Sequence, residues 1–330
     1  MKNMDILLDE FMIYCESKNL SKKTMMSYEQ TLRLFFNYLN EEKKIVNLSS
    51  ISEKIIREYI IYIKDRGKYT VVGDKNSLKI NKPEIRNDYG KKVSLTTVNN
   101  YIRNIKVFFN YLKDQNYIKK DIVKNIKQFK NDRKPKGFIS DEQMSELLRH
   151  IDTTKFHEYR DYIIIQLLLD TGMRISESLA IKVTDLDLNY RSIFLTAENT
   201  KGKKNRYVYF SQIMQRGLKR WLQYKDRYVE SELLFCTSKG TQLLIRTFEK
   251  KLRDYGKRIS LNDICPHQLR NNFAKRFLMC GGNIYTLSKI LGHSSVKVTE
   301  SAYLDLTDAD IRKNYQNFSP LENMNLKNKR

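Results

Sequence analysis

The chain of 330 residues has little of what many functional classes require. It contains no run of about 18 apolar residues and no lipidation signal, which argues against a membrane span or anchor. The longest apolar cluster, around Tyr162 to Leu169, reads as a core helix. The opening stretch, MKNMDILLDEF, lacks the basic start, continuous apolar stretch and small-residue cleavage site of a secretory signal, so a cytoplasmic protein is expected. Cysteine is scarce: Cys15, Cys236, Cys265 and Cys280 are scattered without a C-x-x-C pair, which indicates reduced thiols and neither a zinc site nor a disulfide framework. The H-E-x-x-H, P-loop and G-x-G-x-x-G patterns are all missing, and Gly292-His293-Ser294-Ser295-Val296 lacks the final glycine of a nucleophile elbow. Asp185 and Asp187 precede a strand pattern and suit turn chemistry better than metal binding. No metal and no cofactor are expected, and no internal repeat occurs at a fixed period.

Acidic residues are also in deficit. Against 61 Lys and Arg stand 38 Asp and Glu, a formal charge of +23. A compact body with that self-repulsion normally meets a polyanion, and double-stranded DNA is the partner expected. Abundant Lys, Asn and Ile also fit an A·T-rich coding sequence, which accounts for some lysines without any partner.

With 41% apolar residues, the chain can bury two modest cores. The first half reads as a helical bundle. Ile6, Leu7, Phe11 and Tyr14 recur near helical spacing over 4–18, and Ser21 precedes a second stripe of Tyr28, Leu32, Phe35, Phe36 and Leu39. Ser50 and Glu53 form a capping-box pattern before Ile55, Ile56, Tyr59, Ile60 and Ile63, with Gly67 as the stop. The glycine-rich polar stretch 67–93 reads as a long loop or small hairpin, and a fourth helix over 95–115 carries Val98, Ile102, Ile105, Phe109 and Leu112.

A basic stretch from Lys127 to Gly137 has little to bury and reads as a linker lying on an anionic partner. The expected organisation is therefore an N-terminal domain over 1–128, a linker over 129–138 and a second domain over 139–330. The second domain opens on a capping box of Ser140 and Gln143. A helix over 159–170 stops at Thr171-Gly172, and strands over 186–195 and 206–210 flank a basic turn, Lys201-Gly202-Lys203-Lys204. Helices are expected near 212–226, 246–257, 267–280, 283–290 and 308–317. The fold class is mainly α with a small β-hairpin or sheet in the C-terminal half.

Five segments carry chemistry: TGMRISE at 171–177, TKGKK at 200–204, HQLRNNFAKRF at 267–277, LGHSS at 291–295, and Tyr303. Each is weak alone, but their order is specific. Through Arg174, Lys201, His267, Arg270, His293 and Tyr303, most of the chain resembles the tyrosine recombinases, the family of phage integrases and Xer resolvases. The resemblance implies a SAM-like core-binding bundle followed by a tyrosine-recombinase catalytic domain. With no separate arm-binding domain ahead of the first helix, the simpler Xer-like plan is expected.

Attack on a phosphodiester builds negative charge on the nonbridging oxygens, so fixed cations aimed there should dominate catalysis. Arg174 and Arg270 are the expected clamp, because a guanidinium stays charged and offers phosphate a planar fork. Arg174 also sits beside a helix start whose free amides would favour an anion. His267 and Arg270, three apart on a helix, share a face, and His293 is the expected further phosphate contact. His150 and His157 receive no role. A phenol titrates near pH 10, so Tyr303 needs help to attack. By resemblance His267 takes its proton and Lys201 protonates the departing 5′ oxygen, although Lys203 and Lys204 are close enough to replace Lys201. Glu177 matches an acidic position that supports the active-site arginine. Lys134 and Lys136 of the linker, with Lys203 and Lys204, are candidate DNA contacts.

In many members of the family the tyrosine follows the LGH histidine by nine residues, whereas Tyr303 follows His293 by ten. Among 21 tyrosines, Tyr285 and Tyr315 are the local competitors, and neither fits the family order. The expected activity is site-specific cutting and rejoining of DNA through a 3′-phosphotyrosine. A homotetramer on two sites is implied, with a tail that includes Ile311, Phe318 and Leu321 docking on a neighbour. A noncatalytic DNA-binding accessory protein and a type IB topoisomerase-like relaxing enzyme are the alternatives.

Overall fold

The computed structural model describes residues 3–73, 82–130, 137–200, 202–293 and 295–303, with side chains of the last segment to Glu300. The expected helix at 308–317 lies outside the described residues. The chain divides into two compact units, residues 1–133 and 134–330.

The described residues of the first unit form four α-helices, α1 (Met4–Ser17), α2 (Lys22–Glu41), α3 (Glu53–Asp65) and α4 (Leu95–Asp114). Each begins on a polar side chain that accepts from an otherwise unpaired amide: Asn3, Ser21, Ser52 and Ser94. The capping box expected at Ser50 is therefore corrected. Ser50 closes a short 3-10 turn at Leu48–Ser50, and Ser52 caps α3 instead. In α1 the buried stripe is Leu7, Leu8, Phe11 and Cys15, while Ile6 is 48% exposed. Aromatic rings knit the bundle, with Phe11 edge-on to Phe108 at 5.3 Å and Phe35 tilted on Tyr59 at 4.9 Å. Asn104 of α4, fully buried, donates to the Ser27 carbonyl at 3.1 Å and to Thr31 Oγ1 at 2.9 Å. These bonds hold α2 and α4 in one register, because sliding would leave a buried amide unpaired.

The second unit packs around α6 (Phe156–Thr171), in which Ile163, Ile164, Leu167 and Leu168 are all buried. It opens on α5 (Asp141–Arg149), whose Ser140–Gln143 capping box is present as expected. After α7 (Ile175–Ser178) comes a three-stranded antiparallel sheet in the order β1 (Leu186–Asp187), β2 (Ser192–Leu195), β3 (Arg206–Tyr209). The expected single strand over 186–195 is split. The Asp187 carboxylate accepts from the amides of Asn189 and Tyr190, both at 2.8 Å, and turns the chain back on itself. The helices α8 (Gln212–Lys225), α9 (Ile245–Lys257), α10 (Pro266–Met279), α11 (Ile284–Leu291) and α12 (Val296–Tyr303) follow the sheet. Trp221, Phe235, Phe248, Leu252 and Leu269 fill its core. The mainly helical architecture with a small sheet in the second half agrees with the sequence expectation.

The corrected cap can be checked by amide hydrogen exchange. Ser52→Ala should weaken protection across the first turn of α3 by about 1 kcal/mol, roughly fivefold in exchange rate, while Ser50→Ala leaves that turn unchanged. Equal effects of the two substitutions would restore the Ser50 assignment.

Candidate active site

The site begins where α6 ends. Gly172 adopts φ +64°, and a Cβ there would lie 2.2 Å from the Phe273 ring and 2.9 Å from Leu291, so only glycine can make this turn. The turn delivers Arg174 to the start of α7. Its backbone amide donates to Glu177 Oε2 at 2.8 Å, and its guanidinium donates to Glu177 Oε1 at 3.0 Å. The amide expected to be free for an anion is thus taken by the protein's own carboxylate, and α7 is only four residues long.

Glu177 is completely buried, and its second partner escaped the sequence reading. Arg206, the first residue of β3, donates to both carboxylate oxygens at 3.0 and 2.7 Å. A signal for it was present in the strand pattern. Arg206, Val208 and Phe210 share one parity, and Val208 and Phe210 point into the core. A cation on that face calls for a buried carboxylate. Arg206 also donates from Nε to the Ile290 carbonyl at 3.3 Å, near the end of α11. The following Gly292, at φ +64°, would carry a Cβ only 3.2 Å from this guanidinium. Burial alone would raise the Glu177 carboxyl, but the hydrogen bonds and charge of Arg206 and the contacts from Arg174 hold it below its ordinary range.

Arg270 and His267 stand on α10, which starts with Pro266 in its first turn. The two residues differ in depth: His267 is exposed, whereas Arg270 is 3% exposed. Arg270 is gripped by backbone oxygens, Nη1 donating to Gly172 O and Nη2 to Leu291 O, both at 2.8 Å. Nη2 also lies 3.0 Å from His293 Nε2, and His293 Nδ1 lies 2.8 Å from Thr299 Oγ1 on α12. Burial, then the positive charges of Arg270, Arg174 and Arg206 and the nearby His267, pushes the His293 imidazole down to about 4. Arg174, Arg206, His267, Arg270 and His293 therefore share one local field. Among the described residues of this cluster, three guanidinium groups stand against the one carboxylate of Glu177, which pairs with Arg174 and Arg206, and the surplus of positive charge suits an anion.

Of the other expected site residues, Lys203 and Lys204 are exposed on the connection between β2 and β3, where the Thr200 hydroxyl accepts from the Lys204 amide at 3.1 Å. Lys201, Lys134 and Lys136 lie outside the described residues. Tyr303 is the last residue of α12, and its side chain also lies outside the described part. Among the described residues no group of three or more His, Cys, Asp or Glu is placed to hold a metal ion, and no helix is long and apolar enough to cross a membrane.

The model of the phage integrase family matches residues 137–310, and that of the N-terminal SAM-like domain of phage integrases matches residues 8–71. The chain belongs to the phage integrase family. It is 27% identical over 324 residues to the tyrosine recombinase XerC of Staphylococcus epidermidis, covering 96% of this chain and 98% of the relative. Two solved structures show the same fold. The Tn1549 transposon integrase in complex with transposon right end DNA superposes with a TM-score of 0.71 at 18% identity, covering 96% of this chain and 99% of that one. The XerH site-specific recombinase bound to palindromic difH substrate gives 0.68 at 23% identity, covering 91% and 81%. In this integrase-family chain all the clustered residues fall within the stretch matched by the family model.

The neutral state of His293 links the site to stability. In the unfolded chain the imidazole takes its proton near its ordinary value of 6.5, but in the folded integrase only near 4. Between those values the unfolded state binds more protons. The contribution is therefore fully present above pH 6.5 and is lost as pH falls toward 4. Trp221, the single tryptophan, lies buried in the second unit and reports its unfolding in the full-length chain. The stability difference between wild type and His293→Asn should shrink across that window; a difference that stays constant with pH contradicts the assignment.

Proposed function

We propose that Arg174, His267, Arg270 and His293 bind one scissile DNA phosphate and that Tyr303 attacks it. The observation that carries this reading is the convergence of Arg174, Arg270 and His293 from three segments onto one positively charged spot, beside the helix that ends in Tyr303. As a member of the phage integrase family, the chain is a site-specific tyrosine recombinase that binds DNA, cuts and rejoins its strands through a phosphotyrosine linkage, and acts in a multimeric complex.

In the proposed reaction the Tyr303 oxygen attacks phosphorus, the bond to the 5′ oxygen breaks, and a 3′-phosphotyrosine and a 5′-hydroxyl result. Arg174 and Arg270 neutralise the charge that grows on the nonbridging oxygens, where a preorganised donor acts without reorganisation cost. His267, exposed at the start of α10, accepts the phenol proton, and Lys201 gives a proton to the leaving oxygen. The phosphodiester energy is kept in the tyrosyl bond, so rejoining needs no nucleotide. Residues 1–128 are the core-binding domain, 129–138 the linker with Lys134 and Lys136 on DNA, and 139–330 the catalytic domain. Lys203 and Lys204 meet the backbone near the cut. The working form is a homotetramer on two sites in the cytoplasm, with the chain beyond Tyr303 docking on a neighbouring protomer.

Denaturing gels of DNA complexes test the nucleophile. Wild type should give a protein–DNA adduct whose DNA end maps the cut position, and Tyr303→Phe should give none. An adduct that persists in Tyr303→Phe would move the nucleophile elsewhere, and a wild type that never forms one would leave a DNA-binding protein without the reaction. The proton donor is tested with a 5′-bridging thiolate at the scissile phosphate. Lys201→Ala should recover cleavage on that substrate while Lys203→Ala and Lys204→Ala show no selective gain, because a thiolate leaves without a proton. Selective recovery of Lys203→Ala or Lys204→Ala would reassign the acid.

A further inference from the structure

The hydrogen bonds around His293 define its protonation in a way that the proposed reaction must undo. A guanidinium only donates, so His293 Nε2, 3.0 Å from Arg270 Nη2, accepts. The ring is neutral and its proton sits on Nδ1, which donates to Thr299 Oγ1 at 2.8 Å. In this tautomer His293 has no N–H to offer a phosphate. It also occupies an Nη2 hydrogen of Arg270, which donates to Gly172 O and Leu291 O as well. To grip a phosphate oxygen, His293 must carry its proton on Nε2 instead, and Nδ1 then needs a donor.

Thr299 meets both demands. A backbone carbonyl or a carboxylate at this place would accept only and would freeze the ring with its proton on Nδ1, whereas a hydroxyl can accept or donate by rotating. Thr299 is completely buried, so water does not substitute for it. It stands on α12 four residues before Tyr303, one helical turn away on the same side. Among the described residues, the groups whose charge acts on His293 are Arg270 and His267 on α10, Arg174 ahead of α7 and Arg206 on β3, with the Glu177 carboxylate already engaged by Arg174 and Arg206. The balance is positive, so a doubly protonated His293 is disfavoured and a neutral ring must change tautomer.

We propose that Thr299 is a positioning residue that holds His293 in two neutral tautomers, accepting from Nδ1 without DNA and donating to Nδ1 once a DNA phosphate replaces His293 as the acceptor for Arg270. One proton leaves Nδ1 and one arrives at Nε2 by exchange with water, so the net charge of the site is unchanged. The same bond ties the helix bearing Tyr303 to the phosphate pocket. This inference rests on the phosphate-binding reading above.

The test uses the full chain and a nicked duplex carrying the cut position recovered from the trapped adduct. Nitrogen-15 NMR of the His293 ring should show Nδ1–H in the free protein and Nε2–H when Tyr303→Phe protein is saturated with the duplex. Thr299→Val should slow single-turnover cleavage by about tenfold to a hundredfold, the usual cost of losing the group that orients a functional imidazole. Its duplex affinity should stay within about twofold of wild type, since one such hydrogen bond is small against the many phosphate contacts. Thr299→Ser should restore the rate. His293 that keeps Nδ1–H on the duplex, or a Thr299→Val protein that cleaves like wild type, overturns the proposal. Should Thr299→Val fail to fold, as judged by Trp221 fluorescence, the NMR measurement decides alone. Failure of the underlying reading looks different, because wild type itself would then form no adduct.

Discussion

The arrangement of the site depends on one buried carboxylate. Glu177 is surrounded by the guanidinium groups of Arg174 and Arg206, at 2.7 to 3.0 Å, and by the Arg174 amide. A lone carboxylate at that depth would be strongly disfavoured, and two cations with well-directed donors offset the desolvation. Their own positions follow from it. Arg174 is held at the start of α7, and Arg206 is held at the start of β3, from which it reaches the carbonyl of Ile290. A single charge thus joins the turn after α6, the sheet and the end of α11. Such a buried pair adds little net stability over an apolar packing of the same shape, but it admits one arrangement of the segments, which a catalytic pocket needs.

Arg270 is fixed by other means. Backbone carbonyls at Gly172 and Leu291 orient its guanidinium without neutralising it. A carboxylate there would orient the group equally well and cancel the field that an incoming phosphate should feel. The division of labour is electrostatic: Glu177 absorbs charge where rigidity matters, and neutral carbonyls serve where positive potential matters. The depressed titration of His293 is the same field seen from the imidazole.

Much of this is legible in the sequence. Apolar periodicity located the four helices of the first unit, and Thr171-Gly172 marked the end of α6 because a glycine stop is a local property. The order of Arg174, His267, Arg270, His293 and Tyr303 points to phosphoryl chemistry through resemblance to the tyrosine recombinases, and the residue types suit a phosphate. The misreadings were also local. Ser50 and Ser52 are equally good caps in composition, and only the backbone path, with its 3-10 turn at Leu48–Ser50, selects Ser52. The strand over 186–195 looked continuous because Leu186, Leu188, Ile193 and Leu195 are apolar, yet the Asp187 turn divides it. Arg206 does not stand out among 61 basic residues, although its parity with Val208 and Phe210 places it on the inward face.

The sequence by itself determined the chemical inventory, the helical content and the family, because these rest on residue identity, spacing and order along the chain. Only the tertiary structure decided that Arg206 shares Glu177 with Arg174, that the Gly172 and Leu291 carbonyls accept from Arg270, and that Thr299 faces His293. The first two join residues separated by between 21 and 98 positions. The third is close in sequence but depends on the left-handed turn at Gly292 and the path of α12. Hydrogen-bond partners and protonation states follow from distance, direction and burial, and those quantities exist only once the chain has folded.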